Sequence, residues 1–394
     1  MAADPVDSVF GAWARGKSAL LYGPPGTGKT RILSELLRVL EKPDAPVGRI
    51  GLDMADSRNP FKSMSESSSE HGGGLPKPIK TIWLTFHQSL GYEDFIIGLH
   101  PETKDGQVTL VPHAGALLEA VADLQSGAAG AVVIFIDEVN RGNAAKIFGE
   151  FLTFLDFDYR ETTADGSDNP SKIPLPIRHL LHEGDKYAPV TLSSGEAVAL
   201  TFPSYFPRPL YVVATMNSVD RTAIPIDSAL ARRFERIDIR PDLRLLADEW
   251  DVDFASLAER AATPTTLTAA DTAILVLDRL NFAITENFGP DFELGHGLLM
   301  GIDADAETGW QQLARAWDRV IYPQIEDRFS GRVEELAAVL RVEEFSSVPY
   351  AWRFRQSFSG DASASVVAPA TLAELDPELS KASLQLLASR PSVE

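Results

Sequence analysis

Gly23-Pro24-Pro25-Gly26-Thr27-Gly28-Lys29-Thr30 is the stretch whose reading decides the fold. The apolar run Ser18-Ala19-Leu20-Leu21-Tyr22 precedes it and reads as a buried strand. Beyond it, between Arg31 and Lys42, Ile32, Leu33, Leu36, Leu37 and Leu40 recur at helical spacing. Strand, glycine-rich loop and helix form the local structure that a phosphate-binding loop requires. Glycines let consecutive backbone N–H groups curl around an anion, and the helix N-terminus adds positive potential. In this pattern Lys29 reaches the β- and γ-phosphates, and the Thr30 hydroxyl holds magnesium.

Further strands follow. Thr81–Phe86 and Leu210–Thr215 are apolar, and Ala131–Ile136 is an uninterrupted apolar run suited to the middle of a parallel sheet. Helical patterns at Pro112–Leu124 and at Ala144–Leu155 alternate with them, the latter with Ile147, Phe148, Phe151 and Leu155 on one face. The alternation predicts an α/β domain with a parallel sheet flanked by helices over residues 1–240. Insertions are expected near residues 53–78, rich in Ser and Gly, and 156–189. Val190–Leu200 reads as a hairpin.

After Arg240 the patterns turn helical. Thr268-Ala269-Ala270-Asp271 reads as an N-terminal cap, and Thr308-Gly309-Trp310-Gln311 as a capping box. Pro323 is expected to kink or split the helix it interrupts, and another helix is expected over Gly331–Leu340. Residues 241–357 therefore read as a small helical domain. Residues 358–394, rich in Ala and Ser, read as a loosely packed tail.

Composition sets limits. The 394 residues are 44% apolar, which is ample for a large core, and no run is long enough for a membrane span. The start of the chain shows no secretory signal, and cysteine is absent. Both features fit a cytoplasmic protein without disulfides or thiolate metal sites. A net charge of −20 repels nucleic acid and anionic membranes over most of the surface.

The strand at Ala131 ends in Asp137-Glu138. The first carboxylate suits magnesium, and the second suits polarising a water for attack on a γ-phosphate. The strand at Leu210 runs into Asn217, an amide suited to the γ-phosphate or the attacking water. Arg232 and Arg233 follow a short helical pattern. They either cap helix carbonyls or project towards a neighbouring subunit's nucleotide, where a guanidinium stabilises transition-state charge.

Taken in order, these residues resemble the Walker A, Walker B, sensor 1 and arginine finger of an AAA+ NTPase. The finer resemblance is to the McrB-type GTPase subunit of modification-dependent restriction systems. It rests on Phe86–Ile96, Ile136–Asn143 and Ala214–Arg221, with Gly295-His296-Gly297 and Ile325–Phe329 similar to that group's lid signatures. The resemblance implies a nucleotide-binding set of Gly23, Pro24, Pro25, Gly26, Thr27, Gly28, Lys29, Thr30 and Arg31, with Thr30 and Asp137 at Mg2+. It implies catalytic roles for Glu138, Asn140, Asn217, Arg232 and Arg233. It implies a hexameric ring with nucleotide between subunits, the Val190–Leu200 hairpin facing the pore, and a McrC-like partner that carries or recruits a nuclease. It also implies contact with DNA through the assembled complex. The nucleotide is GTP, which McrB-type proteins prefer, or ATP, which most AAA+ relatives use.

The competing readings are a MoxR- or dynein-like ATPase that remodels a protein client, which the acidic charge favours, and a nucleotide-gated scaffold. Weaker candidates are a metal pair at His179 and His182, and the Glu93-Asp94 carboxylates, which read better as a helix start. Trp310 and Trp317 read as core, and Arg49, Lys77 and Lys80 make no basic patch.

Overall fold

Ala131–Asp137 carries apolar side chains on both faces, and the main sheet is built around it. Val132, Ile134 and Ile136 enter one core, whereas Ala131, Val133 and Phe135 enter the core on the opposite face. The strand Leu210–Asn217 divides in the same way, Leu210, Val212 and Ala214 against Tyr211 and Val213. Period-two alternation with both faces buried is what a strand inside an α/β layer structure requires.

The computed structural model describes residues 4–41, 75–104, 106–163, 166–176, 187–201, 203–219, 228–303, 308–342, 352–355, 366–369 and 371–389. Most of the 53–78 insertion, Arg49, the His179/His182 pair, Asp220 and Arg221 lie outside these residues. In chain order the strands used below are β1 (Ser18–Gly23), β2 (Ile79–Thr85), β3 (Ile97–Lys104), β4 (Gln107–Ala114), β5 (Ala131–Asp137), β6 (Tyr187–Thr191), β7 (Ala197–Thr201), β8 (Leu210–Asn217) and β9 (Phe234–Asp238). The main sheet is parallel, with order β2-β5-β8-β1-β9. A second sheet has order β3-β4-β6-β7. The chain forms two units: residues 1–22 with 29–239, and residues 23–28 with 240–394.

In the first unit, Trp13 of the opening helix Pro5–Ala14 is fully buried and donates from Nε1 to the Val212 carbonyl at 3.1 Å. Helix Lys29–Glu41 buries Leu33, Leu36 and Leu40 on the same side of the sheet. The helix expected from Pro112 begins only at Ala116, because Gln107–Ala114 pairs antiparallel with β3. Gly115 is the corner: a Cβ there would stand 2.4 Å from the Phe95 carbonyl carbon. The helix expected over Ala144–Leu155 is an α-helix only to Phe148 and a 3-10 helix from Gly149 to Leu155. Gly149 takes φ +50°, and a Cβ on it would lie 2.9 Å from the Tyr92 ring. The hairpin read at Val190–Leu200 is present as β6 and β7.

The second unit is organised by helix Ala269–Phe288. Thr268 Oγ1 accepts from Asp271 N, and the Asp271 carboxylate accepts from Thr268 N, so the capping box is complete. Thr308 makes no such box. Its backbone is already helical, which turns the hydroxyl away from the first-turn amides. At Pro323 the helix is split: a π-helical turn, Trp317–Ile321, joins Gly309–Ala316 to Tyr322–Arg328. Proline has no N–H for the i→i−4 bond, and the wider turn accommodates that gap. Pro377–Ala388, within the stretch read as a tail, is a helix whose Leu384 and Leu387 are fully buried in the same core as Leu277 and Trp317. Among the described residues, no helix is long and apolar enough to cross a membrane.

Candidate nucleotide site

Three chemistry-bearing segments leave the main sheet at the carboxyl ends of β1, β5 and β8. In open parallel sheets, ligands bind at this edge, where the strand order reverses. The register pairs Ile136 with Ala214, so Asp137 and Thr215 stand side by side one residue further on.

Thr215 is the bridge. Its hydroxyl donates to Asp137 Oδ1 and accepts from Glu138 N at 2.9 Å. Asp137 also faces Thr30, whose Oγ1 lies 3.5 and 3.4 Å from its two carboxylate oxygens. Glu138 takes φ +57°, a left-handed conformation that swings its carboxylate out of the strand direction. That carboxylate accepts from Asn217 Nδ2 at 2.6 Å and pairs with Arg141 Nε at 3.3 Å. Asn140 is buried, 1% exposed, and donates from Nδ2 to the Asn217 carbonyl at 3.2 Å. The structure thus gathers Thr30, Asp137, Glu138, Asn140 and Asn217 into one network. Thr215 and Arg141 belong to it although no role was assigned to them from the sequence. The signal for Thr215 was its i, i+2 relation to Asn217, which puts both on one face of β8.

Lys29 is nearly buried at the start of its helix. Burial pushes its ammonium down to about 8, against the opposing pull of Glu138 and Asp137. A buried cation beside two carboxylates and a threonine hydroxyl is a donor set suited to a phosphate and a hard divalent cation. Arg31, the next residue but one, is exposed.

The loop Gly23–Gly28 packs with the second unit. Gly26 and Gly28 take φ of +79° and +82°. Thr27 is buried, and its hydroxyl donates to the Pro24 carbonyl at 2.9 Å. Gly297 N donates to the Gly26 carbonyl at 2.8 Å.

The two arginines diverge. Arg233 is 6% exposed; its Nη1 donates to the Ala229 carbonyl at 2.6 Å, and its Nε stands 3.6 Å from Asp156. Arg232 is exposed. Of the weaker candidates, Asp94 Oδ2 accepts from Gly91 N at 2.9 Å and starts a short helix. Lys80 pairs with Asp123 at 2.5 Å, and Trp317 is core.

Residues 78–234 match the AAA domain of the dynein-related subfamily, and residues 272–337 match the α-helical lid domain of McrB. The chain is 26% identical over 225 residues to the type IV methyl-directed restriction enzyme EcoKMcrB subunit of Escherichia coli strain K12, covering 57% of this chain and 36% of that protein. It is 26% identical over 248 residues to the type II restriction enzyme BsuMI component YdiS of Bacillus subtilis strain 168, covering 59% and 60%. It spans less than two thirds of either relative. The parallel five-stranded sheet fits the AAA-domain match and the helical unit after it fits the McrB-lid match, so in both parts the chain is similar to McrB-like AAA+ proteins.

Proposed function

We propose that the chain hydrolyses a nucleoside triphosphate, GTP or ATP, with Mg2+. The observation that carries this reading is the network joining Thr30, Asp137, Thr215, Glu138 and Asn217. Thr30 and Asp137 would hold the metal, which supplies charge neutralisation at the phosphates. Lys29 and the backbone N–H groups of the Gly23–Thr30 loop other than its two prolines, with Arg31 at the loop's exit, bind the triphosphate. Asn217 aligns the Glu138 carboxylate, which takes the proton from the attacking water. Asn140 fixes Asn217 through its carbonyl. Arg232, exposed at the end of its helix, is the group that reaches a neighbouring subunit's nucleotide, while Arg233 holds the helix end from within.

The relatives named as restriction-enzyme components support a place in a restriction or anti-phage complex. There the chain would form a homo-hexameric ring, be stimulated by a McrC-like nuclease partner, and meet DNA through the assembly. The match to a dynein-related AAA domain and the net charge of −20 favour a second reading, an ATPase that remodels a protein client. Co-purification separates the two: a nuclease-bearing partner supports restriction, and a non-nuclease client supports remodelling. For the chemistry, phosphate release is measured with Mg2+ and each nucleotide. Glu138→Gln retains nucleotide binding and slows turnover by about 10²-fold or more; undiminished turnover overturns the assignment.

A further inference from the structure

The segment Glu293–Gly297 is pinned at three points before it meets the phosphate loop. Glu293 is nearly buried and takes both Nε and Nη2 of Arg240, at 2.9 and 2.6 Å, together with the Thr285 hydroxyl at 2.9 Å. Asn281 brackets Leu294, donating to its carbonyl at 2.9 Å and accepting from its N–H at 2.6 Å. His296 is 3% exposed, and its Nδ1 accepts from Asp242 N at 3.1 Å. An acceptor Nδ1 leaves the neutral ring's proton on Nε2. That nitrogen lies 3.9 Å from where a Cβ on Gly28 would stand.

The contact with the loop is close. A Cβ on Gly295 would fall 2.1 Å from the Gly26 carbonyl carbon and 2.5 Å from the Pro25 oxygen, and one on Gly297 would fall 2.7 Å from the Gly26 oxygen. Backbone lies against backbone here, so no flexible side chain is available to move aside. The Gly297 N–H engages the Gly26 carbonyl at 2.8 Å. A carbonyl committed in this way does not face an anion, and the loop N–H groups keep that role.

We propose that Glu293–Gly297 is a clamp that sets the shape of the phosphate loop, with His296 as its positioning residue. The proposal rests on the nucleotide-site reading above and adds where the loop's shape comes from. Ring and loop are held in one arrangement because the Asp242 N–H fixes the imidazole, and the imidazole fixes Gly295 and Gly297 against Gly26.

The test uses the full chain with the magnesium complexes of fluorescent GTP and ATP analogues, steady-state kinetics, and amide hydrogen exchange over residues 293–298. His296→Ala weakens nucleotide binding and raises KM about tenfold, the effect of one lost hydrogen bond, with a smaller change in kcat. His296→Asn, whose side-chain oxygen accepts from Asp242 N–H, recovers most of the affinity. Exchange at the Gly297 amide slows when nucleotide binds the wild type and quickens in His296→Ala. Gly295→Ala, folded by circular dichroism, binds nucleotide more weakly than His296→Ala. Wild-type affinity in His296→Ala, or Gly297 exchange indifferent to nucleotide, overturns the clamp. Should the Ala variants not fold, the exchange measurement on the wild type decides alone. A wild type that binds neither nucleotide overturns the nucleotide-site reading itself, whereas a wild type that binds alongside an equally tight His296→Ala overturns only the clamp.

Discussion

Two adjacent residues of one type, Arg232 and Arg233, do different physical work. Arg233 is buried, and its guanidinium closes the Ala229 carbonyl and faces Asp156. Arg233→Ala therefore removes the hydrogen bond to Ala229 and the buried charge facing Asp156, and costs about 1–3 kcal/mol, read as a lower thermal midpoint. Arg232→Ala leaves the midpoint unchanged and lowers assembled turnover by about 10³-fold or more. A stable Arg233→Ala beside an unstable Arg232→Ala contradicts this division. Lys29 supplies a pH signature. Its folded value near 8 lies below the ordinary 10.5, so between those limits the unfolded chain holds a proton that the folded chain lacks. The Lys29 contribution to stability without nucleotide thus rises with pH across that window. A bound triphosphate favours the charged ammonium, so binding at about pH 9 takes up a proton. Calorimetry in buffers of different ionisation heat measures that uptake; binding without uptake excludes it.

At the scale of elements, caps and breaks decide where the chain turns. Asp271 is 1% exposed, completes the Thr268 capping box and pairs with Arg260 Nη1 at 2.7 Å. Asp271→Ala removes the cap and the carboxylate partner of Arg260, which keeps only its contact with the Asp253 carbonyl, and costs about 2 kcal/mol. Thermal unfolding reads that loss, and a change under half of it means the cap is peripheral. Gly149 shows the opposite device, a left-handed residue that ends an α-helix under the Tyr92 ring. The helical periodicity of Ala144–Leu155 was legible because Ile147, Phe148, Phe151 and Leu155 do face the core. The break was not, because it depends on a ring nearly sixty residues earlier in the chain. The β3–β4 hairpin was hidden for a related reason. Pro101 and Pro112 interrupt the apolar alternation, and Leu99, Val108 and Leu110 are exposed, so no buried stripe marks either strand.

For the whole molecule, the proposal that one subunit's Arg232 serves another's nucleotide makes turnover a property of the assembly. Glu138→Gln and Arg232→Ala each lack one half of a composite site. Mixed in equal amounts, they place an intact Glu138 opposite an intact Arg232 at roughly a quarter of head-to-tail interfaces. Partial recovery of phosphate release on mixing is the expected result. No recovery, or full turnover by a dilute monomer, excludes sharing between subunits.

The sequence by itself determined the phosphate loop, the parallel α/β layer, the helical unit that follows and the order of the acidic, amide and arginine residues. Each of these is written in local spacing: an eight-residue loop, period-two and period-3.6 apolar patterns, and a capping box within one turn. Only the tertiary structure decided that Thr215 joins Asp137 to Glu138, that Arg141 holds the same carboxylate as Asn217, and that Arg233 is inside while Arg232 is out. It also decided that the backbone at Gly295 and Gly297 lies against the loop at Gly26. Apart from the Arg141–Glu138 pair, these contacts join residues far apart in the chain, and their geometry is set by strand register and close packing, neither of which leaves a periodic trace in the residues themselves.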